Sequence, residues 1–405
     1  MKIAVAQSIA QDTRQAVLES FEDLRRQLGA LPDYLWVACS ALYDIPLLLA
    51  TLRKLTPSVI LHGSTSCQGI MNNNGYHFCE GYALGLWGLV DPEGSYGVGM
   101  AELASNPREA GAAAIQQAIE CSGRIGEPPQ LVWLGSAPGN EEEILQGIED
   151  VIGDRVPIAG GSSADNDVAG HWKQFTRDLV SSHSVVVTAM YPSVQTYFSF
   201  HSAFSPTAIQ GVVTRCSRRV VHEIDGKPAA HVYNQWTGGI IQTALDGKGG
   251  SVLRQTSLYP LGSLVGYSGS HPYYRLSHPA DVTPDGGLSF FARFEPGDRL
   301  ILMRGTVDDL VSRVGVVSLA ALGKGRMRGE EAAGAMVVYC AGCMMTAHAR
   351  MSETADTIRH ALSDRPFLGT FSFGEQGCFN GGENRHGNLM FSMIVFESDR
   401  IHTPA

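Results

Sequence analysis

The chain has few cysteines for its length, eight among 405 residues. That sparsity excludes a disulfide-stapled scaffold and leads us to expect reduced thiols in the cytoplasm. Charge is scarce too, at 17% of residues, and the balance is negative: 30 Lys plus Arg against 40 Asp plus Glu, a formal net charge of −10. Nucleic-acid binders draw most of their affinity from basic neutralisation of phosphates, so no nucleic-acid partner is expected. Long apolar runs are missing as well. Val314–Leu322 is nine residues and is interrupted by Gly315 and Ser318, far short of the ~20 that span a bilayer. The start, Met1-Lys2-Ile3-Ala4-Val5-Ala6-Gln7-Ser8, turns polar before a secretion-signal core develops and reads as a first strand. No membrane insertion is expected.

Catalytic signatures are equally thin. The glycine loops fit neither a dinucleotide fingerprint nor a P-loop, and there is no H-E-x-x-H zinc motif and no G-x-S-x-G nucleophile elbow. C-x-x-C-H, the covalent haem attachment, is also absent. No catalytic set declares itself, and the expectation is a protein that is not an enzyme.

Glycine is abundant at 46 residues, and much of it falls in a weak internal repeat. Leu35–Ser40 reads as a buried strand, Asp44–Lys54 has helical spacing, and Ser58–Leu61 is a second strand entering His62-Gly63-Ser64-Thr65-Ser66-Cys67-Gln68-Gly69. The order recurs at Leu131–Leu134, Glu141–Ile152 and Val156–Ile158, which enters Ala159-Gly160-Gly161-Ser162-Ser163-Ala164-Asp165. It recurs again at Met336–Cys340, Met351–Leu362 and Pro366–Leu368, which enters Gly369-Thr370-Phe371-Ser372-Phe373-Gly374-Glu375. Trp36 to Gly63, Trp133 to Gly161 and Val338 to Gly369 are separated by 27, 28 and 31 residues. Three matches in order predict repeated strand–helix–strand units of an α/β protein. Between the second and third copies the texture is β-rich. Asp225-Gly226 signals a tight hairpin turn, and Glu295-Pro296-Gly297-Asp298 another between Leu288–Phe294 and Arg299–Met303.

Loops at the carboxyl ends of α/β strands are where ligands collect, and glycine lets backbone amides approach them. Gly63, Ser64, Gly160, Gly161, Ser162, Ser163 and Asp165 are therefore candidate ligand-binding residues; their plain alternative is tight turns between buried strands. Glu375 joins them as a loop carboxylate, and Cys340 as a thiol at a strand end. Cys340-Ala341-Gly342-Cys343 is a C-x-x-C without the second pair that a structural zinc site needs. Its redox reading requires a lowered thiol pKa, and its plain reading is two small residues packing at a strand end. Cys67 is a second loop thiol. Non-covalent haem needs one axial ligand in an apolar pocket, and His62 and His386 are the candidates for it.

Several segments together resemble the FIST domain family, sensory modules with an N-terminal and a C-terminal half. His62–Gly69 is similar to its G-C-S-T-type loop and Gly160–Asp165 to its G-G-S-A-x-D loop. Glu223–Ala229 resembles its hairpin, Tyr259-Pro260-Leu261-Gly262 and Glu295–Asp298 marks of the C-terminal half, and Gly369–Glu375 its G-x-x-x-x-G-E segment. Two positions depart: Cys343 replaces the arginine of C-x-G-R, and His386-Gly387-Asn388-Leu389 stands where H-N-x-T is usual. Loss of a bidentate arginine argues against an amino-acid-type ligand. The Gly/Ser-rich stretch Asp246–Ser251 reads as a soft boundary between two α/β halves, residues 1–248 and 249–405, and the resemblance implies that these are related, with mixed sheets flanked by helices and added antiparallel hairpins. It implies a cytoplasmic sensor of a small molecule, with haem and nitric oxide as the most concrete ligands. Such a sensor signals through a separate histidine kinase or cyclic-di-GMP enzyme. The competing readings are a thiol-dependent enzyme using Cys340 or Cys67, and a protein adaptor that binds no ligand.

Overall fold

The computed structural model describes residues 1–268, 271–323, 326–379 and 382–398. Each of the three repeats centres a six-stranded sheet on one parallel strand pair, and edge strands are lent between them: Ile70–Asn72 and Gly75–His77 complete the third sheet, Glu375–Cys378 and Asn384–Gly387 the second. Tyr34–Cys39 pairs with Ile60–Thr65, Leu131–Ser136 with Ile158–Ser162, and Ala332–Cys340 with Phe367–Ser372. The crossovers are the helices Ile45–Leu55, Glu141–Ile152 and Met351–Ala361. In each sheet a later strand runs antiparallel beside the middle one: Leu84–Val90, Ser184–Tyr191 and Met390–Glu397. A first strand then pairs with that one: Lys2–Ser8, Ser95–Glu102 and Thr196–Ser202.

A second helix follows each first strand, and its start is fixed by a local cap. Asp12 accepts from the Gln15 amide ahead of Thr13–Leu28, Asn106 from Glu109 ahead of Pro107–Ser122, and Thr306 forms a capping box with Asp309 ahead of Val307–Ala321. These side chains satisfy amides that the first helical turn leaves unpaired. The α/β expectation holds, with mixed sheets flanked by helices. The antiparallel addition is a nine-stranded sheet over residues 205–304, placed between the first strand of the third unit and its helix. The stretch Asp246–Ser251 lies inside it, Gly250 and Ser251 pairing with Val282 and Asp281.

Asp225-Gly226 makes the expected tight turn: Ile224 faces Lys227, and φ is +51° and +72° at the two turn residues. The hairpin expected at Glu295–Asp298 does not form. Leu288–Phe290 pairs with Val220–Val221 and Pro279–Val282, whereas Arg299–Arg304 pairs with Ser205–Ser217 and Leu261–Ser268. The buried rings of Phe290 and Phe294, 4.8 Å apart, draw one flank into the sheet's own core, while Gly297 and Asp298 bond to Val213 instead.

The helices cover the outer faces of the three sheets, each with its own apolar layer. The inner faces meet in one shared core containing Trp36, Trp87, Trp133, Met190, Val338 and Ile394. Trp36 and Trp133, equivalent residues of two repeats, pack edge to face at 4.8 Å. Among the described residues no helix is long and apolar enough to cross a membrane.

Trp36 is fully buried, and its indole N–H has no partner. Trp36→Ala is expected to cost about 3–5 kcal/mol in urea unfolding, the usual loss for a large aromatic core residue. Trp36→Phe removes the unpaired donor along with some volume and is expected to cost less than half as much. Equal losses would contradict this account.

Candidate functional site

A cavity of about 600 Å³ opens at the carboxyl ends of Ala332–Cys340 and Phe367–Ser372. Three parts of the chain build it. The third repeat supplies the floor, Cys340, Gly342 and Ser372; the second lends Pro138 and Trp172; the inserted sheet adds Leu253, His278 and Phe291. Apolar side chains dominate the walls, and Phe373 packs edge-on against Trp172 at 6.1 Å. Apolar walls with a few convergent polar groups are the usual make-up of a small-molecule site. Arg254 is exposed at the rim. His278 donates from Nε2 to the Leu253 carbonyl at 3.0 Å, and burial pushes its pKa down to about 4, so it is neutral near pH 7.

Cys340 ends its strand, and the chain turns at once into the helix Ala341–Thr346. Burial alone would raise the pKa of this thiol. The sulfur, however, accepts hydrogen bonds from the Cys343 thiol and from the backbone N–H groups of Cys343, Leu389 and Gly342, which bring the pKa down to about 7. Glu375 lies behind it, wholly buried. Its Oε1 accepts from Ser372 Oγ at 2.6 Å and its Oε2 from the Met390 amide at 3.0 Å. Burial and then the Cys340 charge hold its pKa well above the carboxylate range, so Glu375 keeps its proton and bonds to Cys340. Burial and Cys340 also push the Cys343 thiol up. Burial, Asp165 and Cys340 push Cys67 up to about 12. The amide donors thus favour ionisation of Cys340, and its charge and burial together favour the protonated forms of Glu375, Cys343 and Cys67.

Of the loop residues expected to bind ligand, only Cys340 lines this cavity, with Glu375 directly behind it. Gly63 is a strand residue whose side-chain space is filled by the Phe175 ring: an added Cβ would come within 1.9 Å of it. Ser64 is buried on the same strand. Gly160 and Gly161 lie within Ile158–Ser162, paired with Glu375–Cys378. A Cβ on Gly161 would meet Ser372 and Val338 at 2.8 Å. Ser163 is buried, its hydroxyl unpartnered and its amide bonded to Ser136. Asp165 is buried and accepts from the Val168 and His171 amides at 2.6 and 2.7 Å, shaping the loop that carries Trp172. These glycines permit close approach of strands.

Ser162 and His386 belong to an ionic joint between the second repeat and the inserted sheet. Ser162 Oγ donates to Glu141 at 2.7 Å, and Arg219 Nη2 reaches Glu141 and Glu142 at 2.6 Å each. His386 bonds through Nδ1 to Gln376 at 3.2 Å and through Nε2 to the Phe291 carbonyl at 3.0 Å. His62 is fully buried between the first two sheets, with Nδ1 on Thr188 at 2.9 Å and Nε2 closed in against Gly135. Its burial drives the pKa down to about 3. Neither histidine faces the cavity, so neither fits the axial haem ligand expected of it. Ligation by His386 would need a hydrogen-bonded ring nitrogen freed, and ligation by His62, whose Nε2 has no hydrogen-bond partner, would need space opened beside Gly135.

The sequence reading missed the cavity walls. Trp172, Leu253, His278 and Phe291 stand in segments without a motif, and only the fold brings them to Cys340. Asn388 had a signal, the altered His386–Leu389 stretch, and it lines the cavity beside His278.

The chain matches the FIST N domain over residues 33–227 and the FIST C domain over residues 229–378. It belongs to the FIST family. FIST domains are sensory domains, and the cavity of this FIST protein lies where the FIST C half meets the loops of the FIST N half. No curated protein matches the chain. Among solved structures, a cyanuric acid hydrolase from A. caulinodans is similar at 10% identity and a TM-score of 0.38, over 98% of this chain and 99% of that one. Another cyanuric acid hydrolase structure gives 10% and 0.34 over the same shares. At those scores the likeness carries nothing about chemistry.

Glu141 yields a pH prediction. Burial opposes its ionisation, but the charges of His386 and Arg219 and the bonds from Ser162 and Arg219 hold its pKa down at about 2, below the ordinary ~4.3 of the unfolded chain. The stabilisation is therefore complete above about pH 4.3 and is lost as pH falls toward 2, on the order of 3 kcal/mol in all. Unfolding free energies measured from pH 5 to 2.5 should fall less steeply for Glu141→Gln than for the parent. Parallel curves would refute the assignment.

Proposed function

We propose that this FIST protein senses a small, mainly apolar molecule held in the 600 Å³ cavity and passes the signal to a separate protein. The observation that carries the reading is the cavity's position. Its walls come from the second repeat, the third repeat and the inserted sheet, so a bound molecule touches all three and stabilises one arrangement of them. The neutral His278, the Ser372 hydroxyl and Asn388 offer polar contacts for one end of the ligand, while Trp172, Phe291, Phe373 and Leu253 take its apolar body. A histidine kinase or a cyclic-di-GMP enzyme is the partner class implied by the family resemblance, and it would read the changed arrangement of the inserted sheet.

Thermal unfolding in the presence of a library of small apolar acids, amides and aromatics tests this. A true ligand at a hundred times its Kd adds about 2.7 kcal/mol and raises Tm accordingly. Met345 borders the cavity at an exposed position, so Met345→Trp narrows the mouth without disturbing the core. It should weaken the same ligand at least tenfold. A library without a hit, or equal affinity in Met345→Trp, would overturn the proposal.

A further inference from the structure

The C-x-x-C stands apart from the sensing role, and its two sulfurs are not equivalent. Cys340 lines the cavity; Cys343 faces away into the packed layer beneath, among Leu310, Tyr339 and Leu389. The two sulfurs are in hydrogen-bond contact, so a modest side-chain movement suffices to reach the ~2.05 Å of a disulfide. Backbone amides point at the outer sulfur, and the buried carboxyl of Glu375 touches it.

We propose that Cys340 and Cys343 form a redox-active dithiol that reduces a small disulfide entering the cavity, with Cys340 as the attacking sulfur and Cys343 as the resolving one. The Cys340 thiolate attacks one sulfur of RS–SR, a protein–ligand S–S bond forms, and the leaving RS⁻ takes from solvent the proton that Cys340 released on ionising. Cys343 then attacks the Cys340 sulfur, a Cys340–Cys343 bond forms, and the second RS⁻ leaves and takes the proton that Cys343 gives up. Two protein thiols have been oxidised by two electrons, one disulfide has become two thiols, and Glu375 keeps its proton throughout. The asymmetry supports this order. The outer sulfur is poised as nucleophile and the inner one stays protonated until a mixed disulfide forms beside it. The reaction shares the cavity with the sensing role but does not depend on it, so a mouth variant that abolishes a ligand-induced Tm shift leaves the dithiol chemistry open to test.

The test uses full-length protein in which the three more accessible cysteines, Cys79, Cys121 and Cys216, are replaced by serine. The probe is 4,4′-dithiodipyridine, with thiopyridone release followed by absorbance and the products mapped by peptide mass spectrometry. The proposal predicts two thiopyridones released per protein and a Cys340–Cys343 cross-linked peptide. Cys343→Ser should release one and retain a mixed disulfide on Cys340, and Cys340→Ser should lose the fast release. Circular dichroism checks that each variant is folded, and if Cys340→Ser is not, the cross-link map of the parent decides alone. Release of one thiopyridone or none by the parent, a map without the Cys340–Cys343 link, or fast release of two by folded Cys340→Ser would overturn it.

Discussion

The three inner sheet faces share one apolar core, and everything else in this molecule depends on that sharing. A sheet covered by helices on one side still has a second face to bury. Here the second faces of all three units converge on Trp36, Trp87, Trp133, Val338 and Ile394. No unit closes its own core. The consequence for function is geometric: the carboxyl ends of neighbouring parallel pairs are brought side by side, and the loops that leave them must pack against one another. The cavity is one product of that crowding. The ionic joint of Arg219 with Glu141 and Glu142 is another, since it fastens the inserted sheet over the second unit and so places Leu253 and Phe291 above Cys340.

The floor of the cavity is governed by a competition for one charge. Burial opposes ionisation of Cys340, Cys343, Cys67 and Glu375 alike. Two like charges so close in a low-dielectric setting are prohibitively costly, so the group with the best donors takes the charge and its neighbours keep their protons. Cys340 has the amides of Gly342, Cys343 and Leu389. Among the described residues Glu375 receives one amide and the Ser372 hydroxyl. The same arrangement that makes a sulfur ionise beside an apolar cavity leaves a protonated carboxyl within reach of it.

Much of the fold was legible because periodicity and spacing are local. The run Leu131–Leu134, the helix over Glu141–Ile152 and the glycines after Ile158 announce a strand–helix–strand unit, and the recurrence of that order in two other places is recovered in the three parallel pairs. The glycine loops were legible as structure but not as chemistry. Gly63 and Gly161 yield space to Phe175, Ser372 and Val338, a demand set by strands distant in the chain. The hairpin at Glu295–Asp298 was misread for the same kind of reason: turn chemistry was present, but Phe290 and Phe294 had a core to reach. His62 and His386 carry no mark in sequence of the neighbours that pack around their rings. Cys340 was legible as a strand-end thiol. Its amide donors depend on how Ala341–Thr346 folds back and on Leu389 arriving from the following strand region, which no spacing encodes.

The chemistry of the cavity floor requires Cys340 to be an ionised, reachable sulfur. Alkylation by iodoacetamide across pH 5.5 to 9.5, with the Cys340 peptide quantified by mass spectrometry, measures both properties at once. Its labelling rate should rise with a midpoint near pH 7, as the hydrogen bonds that bring its pKa down to about 7 require. A midpoint near the ordinary thiol value of ~8.5, or a Cys340 that stays unlabelled while the protein is folded, would contradict the account.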